Sequence, residues 1–196
     1  MMNREEYIKN LRQFGIDNEV PNISDTNAKF LRDLIKIKQV KNMLEIGSAN
    51  GFSAIQFGLE LEKTGGKLTT IEFSEPSYTQ VIENIKAVGL EKVIFPVNGN
   101  ALFLIPELKE TYDFVFIDGM KRRTKDFFDL VYDKVEMGGI IIVDDVIKFK
   151  DKMNGFEEYL QENDINYNVI PIDIDDGIVM VVKEEETLKV RVEKDY

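Results

Sequence analysis

The feature that most constrains the fold of this chain is a series of short apolar runs, each followed at once by a polar turn. Two of these runs, Phe114–Ile117 and Ile140–Val143, are apolar at every position rather than at alternate positions. Strands with this pattern are buried on both faces, as in a parallel sheet that has helices on either side. The carboxyl ends of such strands meet at one edge of the sheet, where open α/β proteins bind ligands. The turns that follow these runs are therefore where the chemistry of the chain is expected.

Strands and helices alternate from residue 41 onward. The predicted strands are Asn42–Ile46, Lys67–Glu72, Val93–Asn98, Asp113–Ile117 and Gly139–Val143. The predicted helices between and after them are Phe52–Lys63, Pro76–Val88, Ala101–Leu108, Thr124–Val135 and Ile147–Asn163. Two further helices are predicted before residue 41, and Ser24 or Asp25 could cap the second of them.

The end of the chain breaks this alternation. Two β-rich runs, Tyr167–Ile172 and Ile178–Val182, are joined by a segment too short for a helical crossover, so they predict an antiparallel hairpin. We therefore predict an α/β fold with a doubly wound, mostly parallel, seven-stranded sheet, a C-terminal antiparallel hairpin strand and helices on both faces. A single domain of residues 1–196 is expected, with N-terminal helices and a lid in 1–40, the core in 41–183 and a tail in 184–196. The tail could add an edge strand, contact a second subunit or be disordered.

Composition excludes several kinds of chemistry. The chain has no cysteine and no histidine, so a thiol nucleophile, a zinc site with cysteine ligands and a histidine base are all ruled out. Acid–base chemistry then depends on Asp, Glu, Lys or Tyr, and a bound metal needs oxygen ligands, which favours Mg²⁺, Mn²⁺ or Ca²⁺. The net charge of −11 argues against indiscriminate nucleic-acid binding. No apolar run is long enough for a membrane helix and the start does not resemble a signal peptide, so no membrane partner and a cytoplasmic location are expected.

The turn after the first predicted strand has glycine at Gly47 and Gly51, and an acidic residue, Glu72, ends the second strand a little over 20 residues later. Such a turn can bring backbone N–H groups close to a ligand, and the acidic residue can accept hydrogen bonds from ribose hydroxyls. A tight turn in any α/β protein would use the same glycines, and that interpretation stays open. The spacing of the glycines differs from that of dinucleotide-binding folds.

Three carboxylates follow the fourth and fifth predicted strands. Asp118 ends one, and Asp144 and Asp145 end the other. If these strands are neighbours, the carboxylates converge, and their mutual repulsion would be relieved by a divalent ion. The alternative is that Asp145 caps the next helix and Asp144 faces solvent. Lys121, three residues after Asp118, is either a reactive lysine or a surface lysine in a basic run.

These segments together resemble the class I S-adenosylmethionine-dependent methyltransferases, specifically the catechol and caffeoyl-CoA type of O-methyltransferase with its small bacterial members. The resemblance rests on LEIGSANGFS (Leu44–Ser53), TIEF (Thr70–Phe73), FIDGMK (Phe116–Lys121) and IIIVDDV (Ile140–Val146), and it includes the closing hairpin. The fold that it implies is Rossmann-like. It extends over nearly the whole chain, from about Val20 to Lys183.

The resemblance implies a role for each matching residue. Glu72 would hold the ribose, Phe73 would pack on the adenine, and Asn22 and Ile23 would belong to the lid. The implied cofactor site comprises Asn22, Ile23, Glu45, Gly47, Ala49, Gly51, Phe52, Ser53, Glu72, Phe73, Asn100, Ala101, Asp118 and Met120. The implied catalytic residues are Lys121, with a lowered pKa, and Asp118, and the implied metal ligands are Asp118, Asp144 and Asp145.

The chain departs from the family pattern at three positions. Asn100 stands where many relatives have Asp, Asp145 where they have Asn, and Thr124 where they have Tyr. A basic run that begins at Lys121, together with Lys148 and Lys150, favours an anionic acceptor.

The function predicted from the sequence is methyl transfer from S-adenosylmethionine to a hydroxyl of a small acceptor, assisted by a divalent metal, with Mg²⁺ favoured. The alternatives are a methyltransferase of hydroxyuridine in tRNA, a metal-independent methyltransferase and a non-catalytic binding protein. A homodimer is expected from the alternating tail.

Overall fold

The computed structural model describes residues 3–193. Its strands are β1 (Asn42–Ile46), β2 (Lys67–Glu72), β3 (Ile94–Asn98), β4 (Tyr112–Ile117), β5 (Val135–Val143), β6 (Tyr167–Pro171) and β7 (Gly177–Val182). Its α-helices are α1 (Arg4–Asp17), α2 (Asp25–Lys38), α3 (Phe52–Thr64), α4 (Glu75–Ala87), α5 (Ala101–Glu107), α6 (Thr124–Tyr132) and α7 (Phe156–Glu162). Ser24 is the residue that caps α2, because its Oγ accepts a hydrogen bond from the Asn27 N–H at 3.0 Å.

The strands form one sheet in the order β3-β2-β1-β4-β5-β7-β6. Strands β1 to β5 are parallel, and β7 pairs antiparallel with both β5 and β6. The predicted sheet and its closing hairpin are therefore confirmed. The order reverses between β1 and β4, so a crevice opens at their carboxyl ends, where ligands bind in open α/β sheets.

A hydrophobic core lies on each face of the sheet, as the apolar strands predicted. One core includes Leu31, Ile35 and Phe57 from α2 and α3, and the other includes Phe128 and Leu160 from α6 and α7. Burial of these side chains, at roughly 25 cal/mol per Å² of apolar surface, holds the helices on the sheet. The strand ends are thereby fixed in position relative to one another.

The turn after β1 packs directly against the turn after β4. Gly47 has φ of +88°, and a Cβ at this position would lie 2.6 Å from the carbonyl oxygen of Asp118. A Cβ at Gly51, with φ of +86°, would instead contact Val81 of α4. Gly47 is therefore required by packing within the protein, which is the interpretation that the sequence left open. A Cβ at Gly51 would make only ordinary van der Waals contact, so its positive φ is what favours glycine there.

Two element boundaries differ from the prediction by more than three residues. Strand β5 begins at Val135, four residues earlier than expected, because it continues on the N-terminal side of an irregularity at the glycine pair, where Gly138 has φ of +73° and the register with β4 shifts. Helix α7 begins only at Phe156, so the predicted helix over Ile147–Asn163 is wrong in its first half. Asn154 and Gly155 have positive φ there, which interrupts a right-handed helix, and the preceding segment forms turns.

The part of the tail that the structure describes, 184–193, packs on α6 and α7. The Tyr159 hydroxyl donates a hydrogen bond to the Val190 carbonyl at 3.0 Å, and the Val192 N–H donates to Asp129 at 3.1 Å. No strand forms in this described segment, so the edge strand, one of the three possibilities that the sequence left open for the tail, is absent there. The rest of the predicted tail, 194–196, lies outside the described residues.

Among residues 3–193, no helix combines the length and the apolar character that crossing a membrane requires.

The contact between Gly47 and Asp118 predicts a large loss of stability for Gly47→Ala. Alanine in this left-handed conformation costs about 1–2 kcal/mol, and overpacking against a fixed carbonyl adds about 1–3 kcal/mol. Gly138→Ala is the matched control, because Gly138 also has positive φ (+73°) but its Cβ would meet nothing within 4 Å. Urea unfolding should give a clearly larger loss for Gly47→Ala. Equal losses would show that the close approach to Asp118 is unimportant.

Candidate active site

A cavity of about 1600 Å³ opens at the carboxyl edge of the sheet. Its walls are the turns after β1, β2, β4 and β5, the start of α5, and the segment between α1 and α2. The cofactor-site residues predicted from the sequence mostly line it. Those in the wall are Asn22, Ile23, Gly47, Ala49, Ser53, Glu72, Phe73, Asn100, Ala101, Asp118 and Met120.

Three residues of the predicted cofactor site lie behind the wall instead. Gly51 backs onto α4, and Phe52 is buried, with the Arg12 guanidinium 5.3 Å from the centre of its ring. Glu45 is fully buried in β1. The side chains of Phe52 and Glu45 support the site from behind.

Glu72 joins the turns that follow β1 and β2. One carboxylate oxygen accepts hydrogen bonds from the N–H groups of Ser48 and Ala49, at 3.1 and 2.9 Å, and the other accepts from the Ser74 N–H at 2.8 Å. A carboxylate has about four acceptor positions, so one remains for a ligand. The side chain therefore holds the wall in shape and also faces the cavity.

Several polar atoms in and behind the wall have no partner within the chain. The Nδ2 atoms of Asn22 and Asn50 and the Oγ atom of Ser48 are buried without a hydrogen bond. Unpaired buried polar groups are costly, so their presence beside a cavity indicates that a polar ligand satisfies them. Asn100 caps α5 by accepting from the Leu102 N–H at 3.0 Å, a role that either Asn or Asp can fill.

Lys121 lies between two of the three predicted acidic ligands. Its Nζ atom is 2.6 Å from a carboxylate oxygen of Asp118 and 2.6 Å from one of Asp145. Burial alone would lower the pKa of Lys121, but the two carboxylates raise it above the usual lysine value. The predicted lowering of this pKa is therefore wrong for this arrangement, and Lys121 is a protonated cation.

The third carboxylate, Asp144, faces a residue that was not predicted from the sequence. The Asn27 amide donates to both oxygens of Asp144, at 2.9 and 3.0 Å. Asn27 is buried and lies four residues before Leu31 and eight before Ile35, in the apolar stripe of α2. A polar residue in such a stripe was the signal that could have revealed it.

The pKa values of the acidic residues reflect their crowding. Burial raises the pKa of Asp118 to about 6, despite the opposing charge of Lys121. Burial, and then the charges of Asp118 and Asp145, raise the pKa of Asp144 well above its usual value. The pKa of Asp145 is also raised, chiefly by burial. The cluster therefore favours additional positive charge.

The donor chemistry of this cluster fits a hard divalent cation, since carboxylate oxygens are the preferred ligands. A cationic group, the Lys121 ammonium, already stands between Asp118 and Asp145. As arranged in the described part of the chain, no three acidic side chains are grouped to hold an ion, because Asp144 faces Asn27.

The basic run gives part of the cavity wall a positive rim, formed by Lys121 to Arg123, Lys125 and Lys152. Acidic side chains line the same cavity, among them Glu19, Asp126, Glu162 and Glu193. Lys148 and Lys150, which were predicted to join this rim, lie outside the cavity wall and form ion pairs with Asp175 and Glu157.

A model of the O-methyltransferase family matches residues 2–184 of the chain. The chain belongs to the O-methyltransferase family. Catechol O-methyltransferase of Niastella koreensis is 32% identical over 131 residues, which are 64% of this chain and 58% of that protein. Caffeoyl-CoA O-methyltransferase 2 of Populus trichocarpa is 30% identical over 135 residues, 64% of this chain and 54% of that protein. The chain thus spans less than two thirds of the length of these two relatives.

The crystal structure of an O-methyltransferase from Bacillus cereus in complex with SAH has a TM-score of 0.80 to this chain. The two are 26% identical, and the alignment covers 90% of each chain. The family predicted from the four sequence segments is therefore confirmed, as is its fold.

The buried carboxyl group of Glu45 predicts a pH-dependent stability for this family member. Burial raises the pKa of Glu45 from 4.5 to about 8, although hydrogen bonds from Ser53 and Thr70 favour the ionised form. The folded state therefore binds this proton more tightly than the unfolded state, and the associated stability, present below pH 4.5, is lost as the pH rises to about 8. Because a pKa difference of one between the two states is equivalent to about 1.4 kcal/mol, the loss of stability amounts to roughly a few kcal/mol.

Glu45→Gln should remove this dependence, because the amide does not titrate. Urea unfolding at several pH values should show the wild type losing stability relative to Glu45→Gln as the pH increases. The exposed Glu91→Gln is the control and should follow the wild type. Parallel curves for wild type and Glu45→Gln would contradict the prediction.

Proposed function

We propose that this protein transfers a methyl group from S-adenosylmethionine to a hydroxyl of a small anionic acceptor, assisted by a divalent metal ion. The observation that carries the proposal is the cavity in which Glu72 and the Lys121 cluster lie on one edge of the sheet. Family membership supports the same chemistry.

The cofactor would occupy the part of the cavity between the turns after β1 and β2. Glu72 retains a free acceptor position for the ribose hydroxyls, and Phe73, which is 69% exposed, offers its ring face to the adenine. Asn22 and Ser48 have unpaired polar atoms for the amino-acid portion. When bound, S-adenosylmethionine supplies a methyl group on a sulfonium, which an aligned nucleophile can attack.

Asp118, Asp144 and Asp145 would hold the metal ion if the Asp144 carboxylate turned from Asn27 toward the other two, with Mg²⁺ favoured. A bound divalent ion lowers the pKa of a hydroxyl that it contacts, which makes the acceptor oxygen a better nucleophile. Asp118 ends β4 at the same edge as the cofactor turn, so the acceptor oxygen and the methyl group would be brought together. Such positioning contributes several kcal/mol to catalysis.

The proton of the acceptor hydroxyl would pass to a carboxylate of the cluster. Lys121 cannot accept it in the described arrangement, because its amine is already protonated. While it is not bound to a metal ion, Asp118, with a pKa of about 6, has a value close to that of an efficient general base at neutral pH. Lys121 would then stabilise the negative charge on the acceptor oxygen.

A metal-independent methyltransferase is the second candidate, and one observation favours it. The Lys121 ammonium already provides a positive charge between Asp118 and Asp145, where an ion would otherwise sit. In this case the carboxylates would orient the acceptor, and Lys121 alone would stabilise its oxygen. Metal binding measurements distinguish the two candidates.

The positive rim supports an anionic acceptor, such as a phosphorylated or carboxylated hydroxy compound. Arg122, Lys125 and Lys152 line the cavity and would attract such a group. The phosphates beside a hydroxyuridine in tRNA are also negatively charged, and mass spectrometry of tRNA nucleosides from a deletion strain would reveal that activity.

A single domain over residues 1–196 and a homodimer stay predictions, and light scattering tests the latter.

If Glu72 binds the ribose of the cofactor, Glu72→Gln is expected to lower the affinity for S-adenosylmethionine. The amide keeps the shape of the side chain but replaces one acceptor oxygen by a donor, so both the ribose contact and the loop contacts weaken. We expect a loss of at least about tenfold for S-adenosylmethionine by calorimetry, equivalent to about 1.4 kcal/mol. Glu75→Gln, an exposed change in the first turn of α4, should bind normally. Equal affinity for Glu72→Gln would contradict the assignment of the ribose contact.

The proposed reaction is tested with S-adenosylmethionine that carries a radiolabelled methyl group, which should be transferred to hydroxylated acceptors. We expect higher turnover for acceptors that carry a phosphate or carboxylate group, and loss of turnover in EDTA that Mg²⁺ restores. Turnover that persists in EDTA would support the metal-independent candidate. Tight cofactor binding without transfer to any acceptor would argue for a binding protein instead.

A further inference from the structure

The acidic cluster holds Lys121 by two short ion pairs. The ammonium contacts Asp118 and Asp145, each at 2.6 Å, and the side chain of Lys121 is only 17% exposed. Lys121 is the first residue of a single 3-10 turn that follows Met120. The ammonium thus neutralises part of the negative charge that the two strand ends bring together.

The positions of the two carboxylates are set by the backbone independently of Lys121. Asp118 follows β4, whose last residue Ile117 pairs with Val143 at the end of β5. The Asp144 N–H donates to the Ile117 carbonyl at 3.0 Å, which fixes the neighbouring turn. The strand ends that carry the two carboxylates would therefore stay in place if the lysine moved away.

Asp176 gives the Asp145 turn further support. One of its carboxylate oxygens accepts hydrogen bonds from the N–H groups of Ile147, Lys148 and Gly177, at 3.3, 3.2 and 2.7 Å. Asp145 itself has φ of +63°, a conformation that Asp and Asn adopt more readily than most residues. The turn is thus held by backbone contacts that Lys121 does not make.

The lysine, by contrast, can move. Its charge is carried on a flexible four-carbon stem, and Lys121 lines the cavity, so its ammonium has open space to enter. A divalent ion neutralises two carboxylates where a single ammonium neutralises one. The same space cannot contain both cations.

We propose that Lys121 is the resident counter-ion of this acidic cluster, and that a divalent cation and the Lys121 ammonium compete for the space between Asp118 and Asp145. This inference rests on the metal ion of the proposed function. Binding of the ion would move the ammonium into the cavity, where the acceptor lies.

Competition predicts that removing the lysine strengthens metal binding. Mn²⁺ titrated into the full-length protein and followed by electron paramagnetic resonance should bind Lys121→Met at least tenfold more tightly than wild type. Lys125→Met is the matched control, because it removes the same charge from the wall of the same cavity and leaves the two ion pairs of Lys121 intact. Its affinity for Mn²⁺ should stay within about twofold of wild type. Equal or weaker binding by Lys121→Met would overturn the proposal.

A second measurement uses the wild-type protein, so it does not depend on the folding of a variant. Reductive methylation with formaldehyde and borohydride, read by mass spectrometry of the peptide containing Lys121, should proceed several-fold faster in Mg²⁺ than in EDTA. Lys125, as an internal reference, should react at the same rate in both. An unchanged rate at Lys121 would show that the ammonium does not leave its ion pairs with Asp118 and Asp145.

The failure of this inference is distinguishable from failure of the proposed function. Absence of Mn²⁺ binding in wild type and Lys121→Met alike would overturn the competition and the metal ion together. Methyl transfer that persists in EDTA would then leave the methyltransferase itself intact. Absence of methyl transfer with normal Mn²⁺ competition would reject the activity and keep the role of Lys121.

Discussion

The close approach of two backbone turns is the constraint on which the rest of the site depends. The turn after β1 passes so near to the turn after β4 that position 47 has no room for a Cβ beside the Asp118 carbonyl. This approach occurs where the strand order reverses, and it brings the turn held by Glu72 beside the turn that carries Asp118 and Lys121. The turn proposed to bind the cofactor and the turn proposed to carry the reactive groups therefore line one cavity.

Charge repulsion is the second constraint, and the chain relieves it with its own side chains. Three carboxylates converge at the ends of β4 and β5. Lys121 bridges two of them and Asn27 donates both hydrogen bonds to the third. Because Asn27 lies on α2, just after the segment that borders the cavity, the N-terminal helices are tied directly to the acidic cluster. The segment between α1 and α2 is thus linked to the acidic cluster through the hydrogen bonds of Asn27.

The sequence predicted most of the elements because their signals are local. The runs that form β1 and β2 were bounded correctly to the residue, since each has β-branched or apolar residues in its interior and ends at a polar turn. The start of α7 was misjudged because apolar spacing continues through a segment where Asn154 and Gly155 take positive φ. Asn154 also donates to the Arg122 carbonyl, and Asp176 accepts from the N–H groups of Ile147 and Lys148, and no local pattern contains these contacts.

By itself the sequence determined the sheet, its closing hairpin, the family and a set of candidate site residues, most of which line the cavity. These follow from hydrophobic periodicity and from short motifs, which depend on neighbours along the chain. Only the tertiary structure showed that Lys121 lies as a cation between two carboxylates and that Asn27 is the partner of Asp144. It also showed that the Asp118 carbonyl leaves no room for a side chain at Gly47. Each of these depends on residues far apart in the sequence, since a pKa or a steric limit is set by whatever charge or carbonyl the fold brings within a few ångströms.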